Sequence, residues 1–283
     1  MAMVCRTRLF SLLLFVVLLF SFSGCANTSQ SEADYKKEAT FIEDVENFAK
    51  QPDAFKGKKI QTVLTVFNAV TKGKDVTVYA AQNLMNVQSG NIFMLHYTLK
   101  DGENPLKNGD LIRFFGEYKQ TADSKEAVPG QTVRVLECDA QYIIHPMWQP
   151  LAVSSLHTAT VNVANEQGNT TLEIHFGHGK FLADGIELPK GTLSIRETRL
   201  GYGMFDPIPF QGKILDDGNG SFTAENGASF SVTIEQNSPQ VKQGKWTTNE
   251  ATTLQTHGGK TLENLEGKVM TRTIPAGTYE MKL

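Results

Sequence analysis

Lys59-Ile60-Gln61-Thr62-Val63-Leu64-Thr65-Val66-Phe67-Asn68-Ala69-Val70 decides the fold. The run is rich in β-branched residues, holds no Gly or Pro, and is long for a strand, which averages roughly 5–6 residues. Shorter runs follow it. Val76 to Ala80 alternates apolar and polar residues after the Lys72-Gly73-Lys74 turn. Ile92 to Leu99, Leu111 to Tyr118 and Thr132 to Ile144 are the third, fourth and fifth. Asp101-Gly102 and Asn108-Gly109-Asp110 are turn signals between them, and the polar stretch Gln120 to Gly130 ends in Pro129-Gly130. Five strands with a long first one predict a small Greek-key barrel of the OB type.

Outward from this run, Thr40 and Glu43 have the spacing of a capping box. Phe41, Val45 and Phe48, with Ile42 and Ala49, share one helical face, so a short helix is expected before the barrel, stopped at Pro52. The pattern Phe48-x-x-Gln51-Pro52-x-x-Phe55-x-Gly57-Lys58-x-Ile60, followed by Gly109-Asp110-x-Ile112-x-Phe114-x-Gly116, resembles the tRNA_anti-like OB-fold lipoproteins of bacteria. The resemblance covers roughly residues 38–145, within an expected OB-fold domain of residues 38–147. Its motifs are glycines and apolar positions, so it implies a fold and no active site.

Pro146 and Pro150 flank Met147-Trp148-Gln149 and mark a boundary. Beyond it, residues 155–283 read as a β-rich C-terminal domain. Expected strands are Thr158–Ala164, Thr170–Phe176, Gly191–Thr198, Pro209–Leu215, Ser229–Gln236, Gly267–Ile274 and Thr278–Leu283. Turn signals recur between them, a spacing that predicts a β-sandwich or barrel. Gln236 to Lys268 is poor in apolar residues and reads as a long loop. The fold class is therefore mainly β, an OB barrel preceded by a helix and followed by a second β domain.

At the other end, Arg6 and Arg8 precede an apolar run from Leu9 to Phe22, closed by Ser23-Gly24-Cys25. A charged start, an apolar core and small residues make residues 1–24 a secretory signal. The run is shorter than the ~20 residues of a spanning helix. Phe22-Ser23-Gly24-Cys25 resembles the lipobox of bacterial lipoproteins, with Phe22 where the family usually has Leu. That resemblance implies that Cys25 becomes the first residue, carries acyl chains such as palmitate, and attaches the protein to a membrane. An ordinary signal cut near Cys25 is the other reading. Residues 25–37 would then be a lipid anchor and a small, polar tether, too poor in apolar residues to fold. Ala26 after the cysteine is compatible, by family analogy, with an outer membrane facing the periplasm in a Gram-negative cell.

The formal net charge of −3 does not suit nucleic acid or an anionic lipid surface, since both demand a basic face. Of three cysteines, Cys5 lies in the signal and Cys25 is the lipid candidate. Cys138 sits in an apolar run and reads as a small buried hydrophobe.

No constellation for catalysis is legible. His175-Phe176-Gly177-His178 offers two imidazoles beside Glu173, short of a zinc set, so no metal is expected. Asp217-x-Asn219-x-Ser221 starts like a calcium loop but has Phe222 at the turn-glycine position and Ala228 in place of the bidentate Glu; it reads as a hairpin turn. Gly201-x-Gly203 has Asp206 in place of the third fingerprint glycine. No cofactor is expected. OB barrels bind along strands two and three. There Thr77, Tyr79, Met94 and His96 should face outward, as a ligand face or as a surface covered by the second domain or the N-terminal helix. The expectation is an envelope protein anchored through Cys25, with a non-catalytic binding or scaffolding role and another envelope protein as its candidate partner. An envelope hydrolase with an inter-domain site, and an adhesin or assembly subunit using a strand edge, are the alternatives.

Overall fold

Lys59–Lys72 (β2) is the strand from which the first barrel is built. The computed structural model describes residues 30–84, 87, 91–152, 158–165, 168–196, 206–237, 242–255, 269 and 271–283. The signal, Cys25 and Gly201-x-Gly203 lie outside them. The chain divides into two compact units, Met1–Glu38 and Ala39–Leu283.

In the first unit, Glu32–Glu38 forms a helix (α1), where the sequence reading had a tether. Its start explains why. The Ser31 hydroxyl accepts from the Asp34 N–H at 3.1 Å and donates to the Asp34 carboxylate at 2.6 Å. Lys36 pairs with Glu32 one turn back. Local capping and an i,i+4 pair support a helix that buries none of its side chains.

The second unit opens with Thr40–Phe41 (β1), parallel to β2. The helix after it is Val45–Lys50 (α2), capped by Asp44, whose carboxylate accepts from the Asn47 N–H at 3.0 Å. The expected cap, Thr40, is instead taken up in the ladder opposite Ile60. Pro52 does end the helix and begins a 3₁₀ turn, Pro52–Phe55. Then come β2, Asp75–Ala81 (β3), Ile92–Thr98 (β4), Leu111–Ser124 (β5) and Val133–Ile144 (β6). Their order around the barrel is β2-β3-β4-β6-β5, and β5 closes on β2. All pairs are antiparallel except β4 with β6. This is the OB connectivity: first, second, third, fifth, fourth and back to the first.

Alternation fills the barrel. Leu64 and Val66 of β2, Val76 and Val78 of β3, Phe93 and Leu95 of β4, and Ile112 and Phe114 of β5 share one core. Helix α2 plugs an end with Phe48, stacked on Phe93 at 5.8 Å and edge-on to Tyr118 at 5.5 Å. Two motif glycines have physical causes. Gly109 turns with φ +91°, and a Cβ on Gly116 would meet the Asp139 carbonyl oxygen at 2.3 Å, beside the β5–β6 bulge.

The C-terminal domain is a barrel. Its eight strands are Thr158–Asn165 (β7), Gly168–His175 (β8), Gly185–Arg196 (β10), Ile208–Leu215 (β11), Asn219–Ala224 (β12), Ser229–Asn237 (β13), Lys242–Thr248 (β14) and Gly277–Lys282 (β17). Each pairs antiparallel with the next, and β17 closes on β7. Lys180–Phe181 (β9) adds to β10, and Thr252–Gln255 (β15) with Thr271–Ile274 (β16) make a separate ribbon. Inward positions carry Val161, Leu172, Ile174, Phe210, Phe222, Phe230, Trp246 and Met281. An aromatic series crosses the interior: Phe210 to Phe222 at 5.2 Å, Phe222 to Phe230 at 5.1 Å, and Phe230 to Trp246 at 5.8 Å. Outward positions carry Thr160, Thr171, Ser221, Thr223, Thr233, Lys245 and Glu280. Apolar inside and polar outside is the reverse of a lipid-facing barrel.

Two of the eight barrel strands escaped the sequence reading, as did the short β9 and β15. β12 was read as a turn, because only Phe222 and Ala224 of its six residues are apolar. β14, inside the expected loop, has Trp246 alone among small and polar residues. Its inward neighbour Gly244 sits where a Cβ would meet the Thr233 carbonyl at 2.2 Å. There crowding, more than hydropathy, selects the residue.

The block around Pro146 and Pro150 is packed. Trp148 is fully buried, stacks on Phe181 at 5.8 Å and donates its indole N–H to Asp216 at 2.9 Å. The Met147 N–H donates to the Asp216 carbonyl at 3.0 Å. A short helix, Gln149–Ala152 (α3), buries Leu151. From the OB barrel, β5 sends Arg113, 0% exposed, to the same aspartate. Arg113 Nε lies 2.7 Å from Asp216 Oδ2, a close ionic contact whose N–H does not point along it. Nη2 donates to Asp216 Oδ1 and to the Gly185 carbonyl, each at 3.2 Å. Val63 and Leu111, on the outer face of the OB barrel, join the C-terminal core.

Breaking such a buried pair leaves an uncompensated charge, at a cost of about 3–5 kcal/mol. Arg113→Ala should lower the unfolding free energy by about that amount in urea denaturation followed by tryptophan fluorescence. Arg113→Met with Asp216→Leu should cost clearly less than Arg113→Ala, because no charge is stranded.

Candidate functional site

The outer face of β3 and β4 carries all four residues expected there. The ladder sets Thr77 opposite His96 and Tyr79 opposite Met94. The two rows differ.

In the first row Tyr79 is 2% exposed. It belongs to a small cluster with Ile92, Ala127 and Val135, against which Phe67, Met94 and Val128 pack. Ala127 and Val128 come from the loop joining β5 to β6, which crosses the face. The Ser124 hydroxyl donates to the Tyr79 hydroxyl at 3.1 Å, which in turn donates to Glu126 at 3.4 Å. Asn68 on β2 donates to the Glu126 carbonyl at 2.8 Å. The cover expected from the second domain or the N-terminal helix is thus supplied by the barrel's own loop. The polar composition of Gln120 to Gly130 hid this, since Ala127 and Val128 are its only two adjacent apolar positions.

The second row stays open. His96 is held between two partners: Nδ1 lies 3.2 Å from the Thr77 hydroxyl and Nε2 lies 3.3 Å from Glu137. Gln120 donates to the other oxygen of Glu137 at 2.7 Å. Glu137 and Gln120 went unnoticed in the sequence, although alternation along β6 would have placed Glu137 outward. Lys119 next to this row bridges Glu117 at 3.0 Å and Asp139 at 3.1 Å, and these two bonds raise its pKa. A hydroxyl, an imidazole and a carboxylate in series can serve nucleophilic catalysis. Here they lie across a paired sheet whose backbone N–H groups are bonded in the ladder, where an oxyanion would need free ones. Thr158 and His175 on β7 and β8 repeat the arrangement at 2.9 Å, with Glu173 4.0 Å from His175. Cross-strand polar pairing accounts for both.

The other residues singled out in sequence sit apart. His178 is exposed beyond the end of β8. Asp217 caps its own turn by accepting from the Asn219 N–H at 2.9 Å, as the hairpin reading expects. Cys138 is fully buried and its thiol pKa is pushed far up by that burial, so the thiolate is suppressed. Lys74 in the β2–β3 turn is paired with Asp101 at 2.6 Å. Among the described residues, no three His, Cys, Asp or Glu side chains gather as a metal site.

The strand order and this face define a class: an OB-type barrel with its β5–β6 loop over the outer sheet, joined to an eight-stranded up-and-down barrel. No protein-family model and no curated protein matches the chain. Among solved structures it is similar to a protein of Leishmania major Friedlin described as an aspartyl-tRNA synthetase, with 9% identity and a TM-score of 0.28. The match covers 45% of this chain and 25% of that one, so the chain spans about a quarter of that protein's length.

Tyr79→Ala should destabilise the protein by about 3–5 kcal/mol through the cavity it leaves, and Tyr79→Phe by about 1 kcal/mol. Fluorescence anisotropy with labelled oligonucleotides across a salt series should show no tight, salt-sensitive binding in the wild type. Tight binding lost in Tyr79→Phe would contradict a purely structural Tyr79.

The hydroxyls of Tyr79, Tyr97 and Tyr118 have pKa values raised chiefly by burial. The unfolded chain therefore releases these protons first, near pH 10, and stability should fall as pH climbs beyond that. Denaturation midpoints between pH 8 and 11 would show it, and Tyr79→Phe should flatten the loss.

Proposed function

We propose that this chain is a lipid-anchored protein of the cell envelope, attached through Cys25, whose two-barrel body binds or scaffolds an envelope partner and does no chemistry. The observation that carries this reading is how the OB barrel's two outer faces are used. The β2–β5 face is taken by the C-terminal barrel through Arg113, Val63 and Leu111. The β3–β4 face is half closed by the β5–β6 loop. What remains is a mostly polar exterior, which suits a protein that works by presenting its surface. The glycine and apolar pattern of residues 48–60 and 109–116 favours kinship with the tRNA_anti-like lipoproteins. Nucleic acid is a poor partner for a face on which Glu137, Asp139 and Glu117 gather around Lys119.

Each buried methylene contributes about 0.8 kcal/mol to membrane attachment, and stable anchoring takes more than one chain. Cys25→Ser should abolish labelling with a fatty-acid probe and release the protein from the membrane fraction. Retention in the membrane with the signal uncut would transfer the anchor to residues 9–22 and sink the lipoprotein reading.

A further inference from the structure

Trp246, on the inner face of β14, carries a donor with no acceptor. The residue is 0% exposed, and its indole N–H meets no hydrogen-bond partner among the described residues. Trp148, the other tryptophan, shows the usual arrangement, with its N–H on Asp216. A buried donor left unbonded costs free energy, and folded proteins keep few of them.

The surroundings of that N–H are specific. Trp246 packs on Phe230 at 5.8 Å and on Tyr279 at 5.7 Å. Toward the end of the barrel where β14 stops and β17 starts, the inward residues shrink. Ala224, Thr248 and Gly277 stand one layer above Phe222, Trp246 and Tyr279. A Cβ on Gly277 would touch only the Tyr279 side chain, at 3.3 Å, whereas those on Gly212, Gly220 and Gly244 further down would strike neighbours at 2.1, 2.8 and 2.2 Å. The β15–β16 ribbon lies over this layer, with Leu254 and Ile274 buried in the barrel core. Among the described residues it pairs with no barrel strand, so it covers the end without being part of the wall. The opposite end is stopped by Trp148 and Leu151.

Chemistry narrows the occupant. The Thr248 hydroxyl donates to the Glu250 carbonyl at 2.6 Å, and the Tyr279 hydroxyl to the Pro275 carbonyl at 2.8 Å. Phe230, Leu254, Ile274 and the Tyr279 ring supply the rest, an apolar lining that favours hydrocarbon over water. An eight-stranded barrel is just wide enough for side chains or for one small ligand. We propose that the ribbon end of the second barrel takes a small apolar molecule with one carbonyl oxygen, a ketone or an ester, which accepts from Trp246 Nε1 while its hydrocarbon part lies under Leu254 and Ile274. This goes beyond the scaffolding reading and does not depend on the anchor.

The experiment titrates the 15N-labelled full chain with 2-hexanone and, separately, with hexane, followed by proton–nitrogen correlation spectra. The ketone should shift the Trp246 indole resonance saturably and leave that of Trp148, already bonded to Asp216, in place. Hexane should bind on the order of tenfold more weakly, since it offers no acceptor. Trp246→Phe keeps a ring and removes the donor, so it should bind ketone and hydrocarbon alike, read from the backbone amides of Thr248 and Leu254. If that variant fails to fold, the indole shift and the ketone–hexane ratio in the wild type decide. A Trp246 indole unmoved by saturating ketone, equal affinities for the two probes in the wild type, or no saturable binding of either would each overturn the proposal. Any of these would leave the scaffolding reading standing.

Discussion

One buried ion pair determines how this molecule is put together. Arg113 projects from the outside of one barrel into the end of the other, and Asp216 receives it. A guanidinium without water is tolerated only where an opposite charge and carbonyls surround it. Asp216 is therefore tied from several directions: by the Trp148 indole, by the Met147 amide through its carbonyl, and by its own N–H to Asp184. Every segment that meets there is fixed by the need to satisfy those groups. The two barrels consequently behave as one unit from Ala39 onward.

That constraint bears on the candidate site. With Val63 of β2 and Leu111 and Arg113 of β5 turned toward the second barrel, the open face is left to β3, β4, β6 and the far part of β5. The β5–β6 loop then removes part of it. Tyr79 looks like a ligand-stacking residue in the sequence and packs like a core residue in the fold, since Ala127, Val128 and Val135 leave it no access to solvent. The open row keeps His96 between a hydroxyl and a carboxylate, an arrangement that recurs on the second barrel and owes its geometry to strand pairing.

How much of this was legible depended on residue size as much as on hydropathy. The five strands of the first barrel stood out because apolar residues, Leu64, Val78, Phe93, Ile112 and Leu136 among them, hold most of their inward positions. Thr77, Tyr79, Met94 and His96 were assigned correctly to one face by the same alternation. Their neighbours Glu137 and Gln120 were not, because which strand lies beside β4 depends on a parallel pairing that no local pattern announces. Arg113 read as one polar position in an apolar run, and its partner is 103 residues away. In the second barrel the expected strands were those with bulky interiors. β12 and β14 turn inward Gly220, Gly244 and Thr248; a Cβ on Gly220 would meet the Ile214 and Val232 side chains at 2.8 and 2.9 Å, and one on Gly244 the Thr233 carbonyl at 2.2 Å. Strands selected for smallness look like loops to a hydropathy reading. Helix α1 was missed for another reason: capping by Ser31 needs no apolar face.

The up-and-down order of the second barrel has a temporal side. Every strand pairs with its sequence neighbour except at the seam, where β7 meets β17. β7 begins at Thr158 and β17 ends at Lys282, so the seam is sealed by the last of the barrel strands to leave the ribosome. Until then two edges stand open, and Trp246 lacks Tyr279, which packs on it at 5.7 Å. A chain built this way holds an unfinished barrel for nearly the whole of its synthesis, and the seam closes only with its last barrel strand.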